Sequence, residues 1–227
     1  MTKPANSTPR LQQVNAPLSL RELAFTSIKE AIMAQTLEPG VIYTEQGLAK
    51  ELGISKTPVH EALIDLAARG FVTLLARRGV RINTLTTEDI TNLYSFRLVI
   101  EGGIIRSLVG KLTGSDLDHL RAIHNRCLKA SRRDGMVSFL KLERVFHDYL
   151  ASFSQNNYMI SALDNIRDLI DWMGMKALMR YERMFEVNQE HGEVLDLIGE
   201  EDFIGAALSM ERHIRITLEN VLEHSGE

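Results

Sequence analysis

One cysteine, no proline beyond residue 58 and no long apolar run free of charge set the first limits on this 227-residue chain. Cys127 alone cannot close an intrachain disulfide, and a zinc site built from several thiolates is excluded with it. No stretch of about 20 apolar residues passes without a charge, which excludes a spanning helix. The opening MTKPANSTPRLQQVNAPLS lacks the apolar core of a secretory signal. A reducing cytoplasm without membrane attachment is the expected setting. Charge of one sign is missing too: 26 Lys and Arg face 30 Asp and Glu, a net −4, while an apolar share of 44% suits folded domains rather than disorder.

The small total hides an uneven spread. Residues 1–83 hold ten Lys and Arg against seven Asp and Glu, a net +3, and residues 84–227 hold sixteen against twenty-three, a net −7. All five prolines and the only β-prone stretch lie in the front part. The expected organisation is a flexible tail at 1–15, one small domain at 16–83 and an acidic, helical domain at 84–227.

In the front, Leu20, Leu23, Ala24, Ile28, Ala31 and Ile32 recur at helical spacing until Glu38-Pro39-Gly40. Thr44 is placed to cap a short helix carrying Leu48 and Leu52, and Gly53 to end it in a left-handed cap. Ser55 is placed to cap the next helix, with Pro58 in its first turn and Val59, Ala62, Leu63 and Leu66 as its buried stripe. Two helices joined across Gly53-Ile54-Ser55 make a helix-turn-helix. The strands Phe71–Leu75 and Val80–Ile82, joined by cationic Ala76–Gly79, make a wing. Lys56, Thr57 and His60 at the start of the second helix suit base edges and phosphates, while Arg77, Arg78 and Arg81 suit the backbone or minor groove.

The run from Leu20 to Ile82 resembles the winged-helix domain of GntR-family bacterial transcription regulators. The resemblance rests on Glu38-Pro39-Gly40, Thr44-Glu45, Leu48-Ala49, the segment Leu52 to Leu63 and Arg78-Gly79. It implies DNA contact by Thr44, Glu45, Lys56, Thr57, His60, Arg77, Arg78, Gly79 and Arg81. Members usually carry Arg where this chain has Lys56 and His60. Lys cannot make the bidentate guanine contact of Arg, so a departure from the usual operator is implied.

Behind residue 84 the periodicity gives helices at about 87–111, 115–133, 136–154, 157–181, 184–199 and 201–224, with Thr86 or Thr87, Ser115 and Asn157 as caps. On the third of these, Glu143 and His147 lie one turn apart inside an arc of Phe139, Leu140, Phe146 and Leu150. His191 sits among Met184, Val187, Val194, Leu195 and Ile198, and His213 at the edge of a stripe of Ala207, Met210, Ile214 and Leu218. An inward carboxylate with inward imidazoles suits a divalent transition metal such as zinc, nickel or manganese. The competing reading is a hydrogen-bonded core without metal. Arg97 and Glu101 fall in the centre of an arc of Ile90, Leu93, Tyr94, Ile104 and Leu108, either as a carboxylate clamp or as an internal i,i+4 pair. Arg167 is a marginal second clamp. His119, His124 and His224 are expected at the surface, and Trp172, Met173, Met175, Met179 and Met184 in the core or an interface.

This all-α bundle resembles the FCD effector domain of the FadR-like branch of the GntR family. The resemblance implies that Glu143, His147, His191 and His213 occupy the metal-ligand positions, Glu143 replacing the usual Asp, and that Arg97 lies in the effector pocket. Together the two resemblances imply a mainly α fold, a non-enzymatic homodimer on a palindromic operator in double-stranded DNA, and a small carboxylate metabolite as effector, with repression relieved by ligand. The alternatives are a metal-free regulator answering to an acyl ligand, and a metal-dependent hydrolase.

Overall fold

The computed structural model describes residues 19–133, 135–178 and 181–224, with the side chains of 133, 174–177 and 181 left aside. The expected tail, Met179 and the side chain of Met175 therefore lie outside the described residues. The chain divides between Ile82 and Asn83 into two compact units.

In the front unit, α1 (Leu20–Met33) starts in a capping box: Ser19 accepts from the Glu22 backbone N–H, and the Glu22 carboxylate accepts from that of Ser19. Ala24, Ile28 and Ile32 are its buried face, whereas Leu20 and Leu23 stand half exposed, so the inward stripe is narrower than the periodicity alone implies. After β1 (Ile42–Tyr43), Thr44 caps α2 (Glu45–Leu52), and Gly53 closes it at φ 67°. Helix α3 (Lys56–Ala68) buries Val59, Ala62, Leu63 and Leu66 as expected, though the Ser55 side chain makes no capping bond. The strands β2 (Val72–Leu75) and β3 (Gly79–Ile82) form an antiparallel pair, and β1 adds on the far side of β3. Phe71, Val80 and Ile82 carry the sheet into the core with Leu63 and Leu66.

The wing turn depends on two positive φ values, 61° at Arg77 and 112° at Gly79. A Cβ at Gly79 would stand 2.2 Å from the Tyr43 carbonyl oxygen, where β3 pairs with β1. Gly79→Ala is therefore expected to cost about 1–3 kcal/mol and to displace the wing. Urea unfolding and DNA affinity report it, and an unchanged midpoint with unchanged affinity would show that the sheet yields freely.

The back unit is a helical bundle: α4 (Thr87–Arg106), α5 (Gly114–Arg133), α6 (Gly135–Ser152), α7 (Asn157–Ala177), α8 (Tyr181–Gly199) and α9 (Phe203–Glu223). Helix α4 packs chiefly on α9, α5 on α6 and α8, and α8 on α9. Thr86 and Asp89 form the capping box that starts α4. The helix stops at Arg106 rather than continuing to 111, because Leu108 is buried from a turn and Gly110 takes φ 69°. The expected caps Ser115 and Asn157 give way to their neighbours. Thr113 boxes with Asp116, and the Asn156 side chain accepts from the N–H groups of Tyr158 and Met159. Trp172, Met173 and Met184 are buried in the core.

Candidate functional site

Helix α6 buries Phe139, Phe146 and Leu150 against the bundle, and this rotation carries Glu143 and His147 inward with them. Helix α8 brings His191 and α9 brings His213 to the same place. All four side chains are buried, and one ligand atom from each lies within 4.8 Å of the others. His147 Nε2 is 3.1 Å from Glu143 Oε1, and His191 Nε2 is 3.4 Å from His213 Nε2. Ligand atoms sharing one ion through bonds of roughly 2.0–2.2 Å stand roughly 3.0–3.5 Å apart, so these two pairs have the spacing of neighbours in a coordination shell, and the full set, spread over as much as 4.8 Å, would close up by about an ångström around an ion.

The outer partners fit the same use. Glu101 accepts from His147 Nδ1, and Glu190 Oε2 lies 2.6 Å from His213 Nδ1. Fixing the far nitrogen turns Nε2 toward the other members of the cluster. His191 instead stacks on Phe146, with ring centroids 4.4 Å apart.

Electrostatics divides the three histidines. Burial and the neighbouring His213 and His147 push His191 well below the ordinary imidazole range, leaving it neutral. Burial also lowers His213, against the pull of Glu190. Burial would lower His147 as well, but the Glu101 and Glu143 carboxylates outweigh it and raise its pKa. Burial raises the Glu143 carboxyl, and His147 and Arg97 more than reverse that, so it is held as a carboxylate.

Arg97 and Glu101, expected at the effector site, lie against this cluster. Arg97 Nε donates to Glu101 Oε1 at 2.6 Å, and its Nη2 is 3.3 Å from His147 Nε2 and 3.6 Å from Glu143 Oε1. Both Glu101 oxygens are thereby engaged. Arg97, Glu143 and His213 line a cavity of about 20 Å³, room for roughly one water. Arg167 lies outside that lining, buried, with Nη2 2.6 Å from Asp148 Oδ1.

The sequence reading missed Arg183, Glu190, Thr217 and Asp171. Buried Arg183 donates to both oxygens of Glu190, at 2.5 and 2.9 Å, and to Thr217 Oγ1 at 3.2 Å, so a chain of contacts runs from the cavity wall through Glu190 to His213. Arg183, Asp171 and Thr217 are themselves cavity residues. The available signal was the spacing of Arg183 and Glu190, two turns apart on one helix and beside an apolar arc. His119 is exposed, while His124 and His224 are half buried against backbone carbonyls at 2.8 Å rather than at the open surface.

In the front unit, Thr44, Glu45, Lys56, Arg77, Arg78 and Gly79 line one groove. Thr44 Oγ1 is taken by its cap, and exposed Thr57 follows Lys56. Glu45 accepts from Lys56 at 3.0 Å and from His60 Nδ1 at 2.9 Å. Arg81 is exposed on β3, opposite Thr73.

Two family models match the chain: bacterial regulatory proteins, gntR family, over residues 20–82, and FCD domain over residues 92–216. The chain is 25% identical to the uncharacterized HTH-type transcriptional regulator YdhC of Bacillus subtilis (strain 168), over 89% of this chain and 92% of that one. It is 26% identical to the Nta operon transcriptional regulator of Aminobacter aminovorans, over 82% and 86%. Among solved structures, E. coli McbR/YncC superposes with a TM-score of 0.75 at 18% identity, covering 91% of this chain and 99% of that one. That last likeness concerns the fold.

Proposed function

This chain belongs to the gntR family of bacterial regulatory proteins and carries an FCD domain; it is a DNA-binding transcription regulator, not an enzyme, and from that premise we propose that it is a repressor released by a small carboxylate. The observation that carries the effector reading is the buried cluster of Glu143, His147, His191 and His213, of which Glu143 and His213 line one small cavity together with Arg97. These four residues would hold zinc, nickel or manganese, and the ion would supply a Lewis-acidic position for a carboxylate oxygen. Arg97 stands ready to share that negative charge.

The cavity's size bears on mechanism. At about 20 Å³ it takes roughly a water, so a metabolite enters only by displacing wall residues such as Asp171 on α7, Val187 on α8 and Thr217 on α9. A ligand that moves packed helices binds their two arrangements unequally, which is the condition for regulation. In a cytoplasmic homodimer, two front domains would read a palindromic operator, since one recognition helix gives too little contact for tight binding. Among the described residues no helix is long and apolar enough to cross a membrane.

Thermal-shift measurements with a panel of carboxylic acids test this reading. Stabilisation by an acid is expected only in the metal-loaded protein, and an equal shift after chelation would favour a metal-free acyl site. A second expectation concerns protons. The Glu101 and Glu143 carboxylates raise the pKa of His147, so its ring holds a proton to higher pH than an ordinary imidazole, and an ion must displace whatever proton it holds. Metal affinity should therefore rise with pH until that raised pKa is passed. Calorimetry at pH 7 in buffers of different ionisation heat should find protons released on ion binding, and fewer of them as the pH is raised. No release would show His147 to be neutral beforehand.

A further inference from the structure

The front domain contains a contact that DNA binding alone does not require. Glu45 opens α2, yet its carboxylate spans two side chains of α3: Oε2 lies 3.0 Å from Lys56 Nζ, and Oε1 lies 2.9 Å from His60 Nδ1. Lys56 and His60 are one turn apart on the outer face of α3, with side chains 59% and 50% exposed, while Glu45 is largely covered at 17%. A single carboxylate thus neutralises part of the charge at the start of the recognition helix and fixes the orientation of one imidazole.

That orientation decides what His60 offers to DNA. Burial raises the Glu45 carboxyl, but the bonds from Lys56 and His60 bring it below its ordinary range, so it has no proton to give. The hydrogen between Glu45 and His60 must then belong to Nδ1. With Nδ1–H committed to Glu45, the uncharged ring has only the Nε2 lone pair free to face outward. In the major groove an acceptor pairs with the N6 amine of adenine or the N4 amine of cytosine, and guanine presents only its own acceptors, N7 and O6.

We propose that Glu45 and His60 form a two-residue base reader, in which Glu45 is the positioning residue and His60 Nε2 selects adenine or cytosine over guanine at one position of each operator half-site. The same contact reduces Lys56 to a phosphate-binding or spacing role, because its ammonium is shared with Glu45 on the protein side.

The test is selection of binding sites by the full-length protein from a random double-stranded DNA library, at pH 8.0, where an ordinary imidazole is uncharged. The parent is expected to enrich adenine or cytosine over guanine by roughly 5-fold or more at one half-site position. His60→Arg should turn that position to guanine, since guanidinium supplies two donors. His60→Ala should erase the preference there and leave the other positions standing. Glu45→Ala should blur the same position, because the ring is then free to present either nitrogen, while Glu45→Gln, which keeps an oxygen acceptor, should restore it in part. A parent preference for guanine at the position that responds to His60 overturns the proposal, as does an operator with no position responding to His60→Ala. Both residues are on the surface side of the core, so circular dichroism matching the parent will show that the variants fold.

Discussion

His191→Ala is expected to lower the affinity for a divalent transition metal by more than ~100-fold, beyond the 10- to 100-fold typical of losing an outer-sphere partner. His191 is the cleanest of the four positions to remove. Its ring is held neutral by burial and by His213 and His147, and it stacks on Phe146, with no ion pair among the described residues. Its loss therefore strands no buried charge, unlike the loss of His147, which would take from Glu101 and Glu143 the imidazole that both contact and leave them sharing Arg97. Chelator competition with zinc, nickel and manganese measures the affinity. An unchanged affinity would mean that no ion is held where these four residues meet.

Glu190→Ala should cost about 3–5 kcal/mol of stability, the effect of removing one partner from a buried ion pair. Arg183 is fully buried, and both of its Nη atoms donate to Glu190. Without Glu190 it retains Thr217 and the more exposed Glu186 at 3.3 Å, neither of which replaces a bidentate carboxylate. Trp172, the one tryptophan, is buried in the back unit, so its fluorescence in urea follows that unit separately from the front one. Glu190→Gln separates support of the ligand from stability. It keeps an oxygen for His213 but gives up the charge, and a loss of about 10-fold or more in metal affinity is expected with folding retained. If Glu190→Ala unfolds at the parental urea concentration, the Arg183 pair contributes nothing net to the fold.

The elements that were legible in the sequence are those whose cause is local. Thr44 and Gly53 bracket α2 because a hydroxyl acceptor and a residue tolerant of positive φ are chemical requirements of helix ends. Glu143 and His147 share a face because four residues make about one turn. Failures came where several local signals compete. Apolar spacing through Leu108 extended α4 past its end, since a buried turn and a buried helix turn show the same periodicity. Ser115 drew the cap that Thr113 and Asp116 form together, although their spacing is that of a capping box. Leu20 and Leu23 satisfied the α1 stripe but stand half exposed, outside the core face of Ala24, Ile28 and Ile32.

The net charge of +3 in the front part and −7 in the back, the caps, the inward faces and the motif strings belong to the sequence alone, because each follows from one segment's own backbone and side chains. The pairings belong to the tertiary structure. His147 meets Glu101 across 46 residues, His213 meets Glu190 across 23, and Glu45 reaches His60 across 15. Each joins two helices whose mutual packing no periodicity specifies. Helical rotation says only that a side chain points inward; what it meets there, and which nitrogen of an imidazole is left free, depends on the helix on the other side.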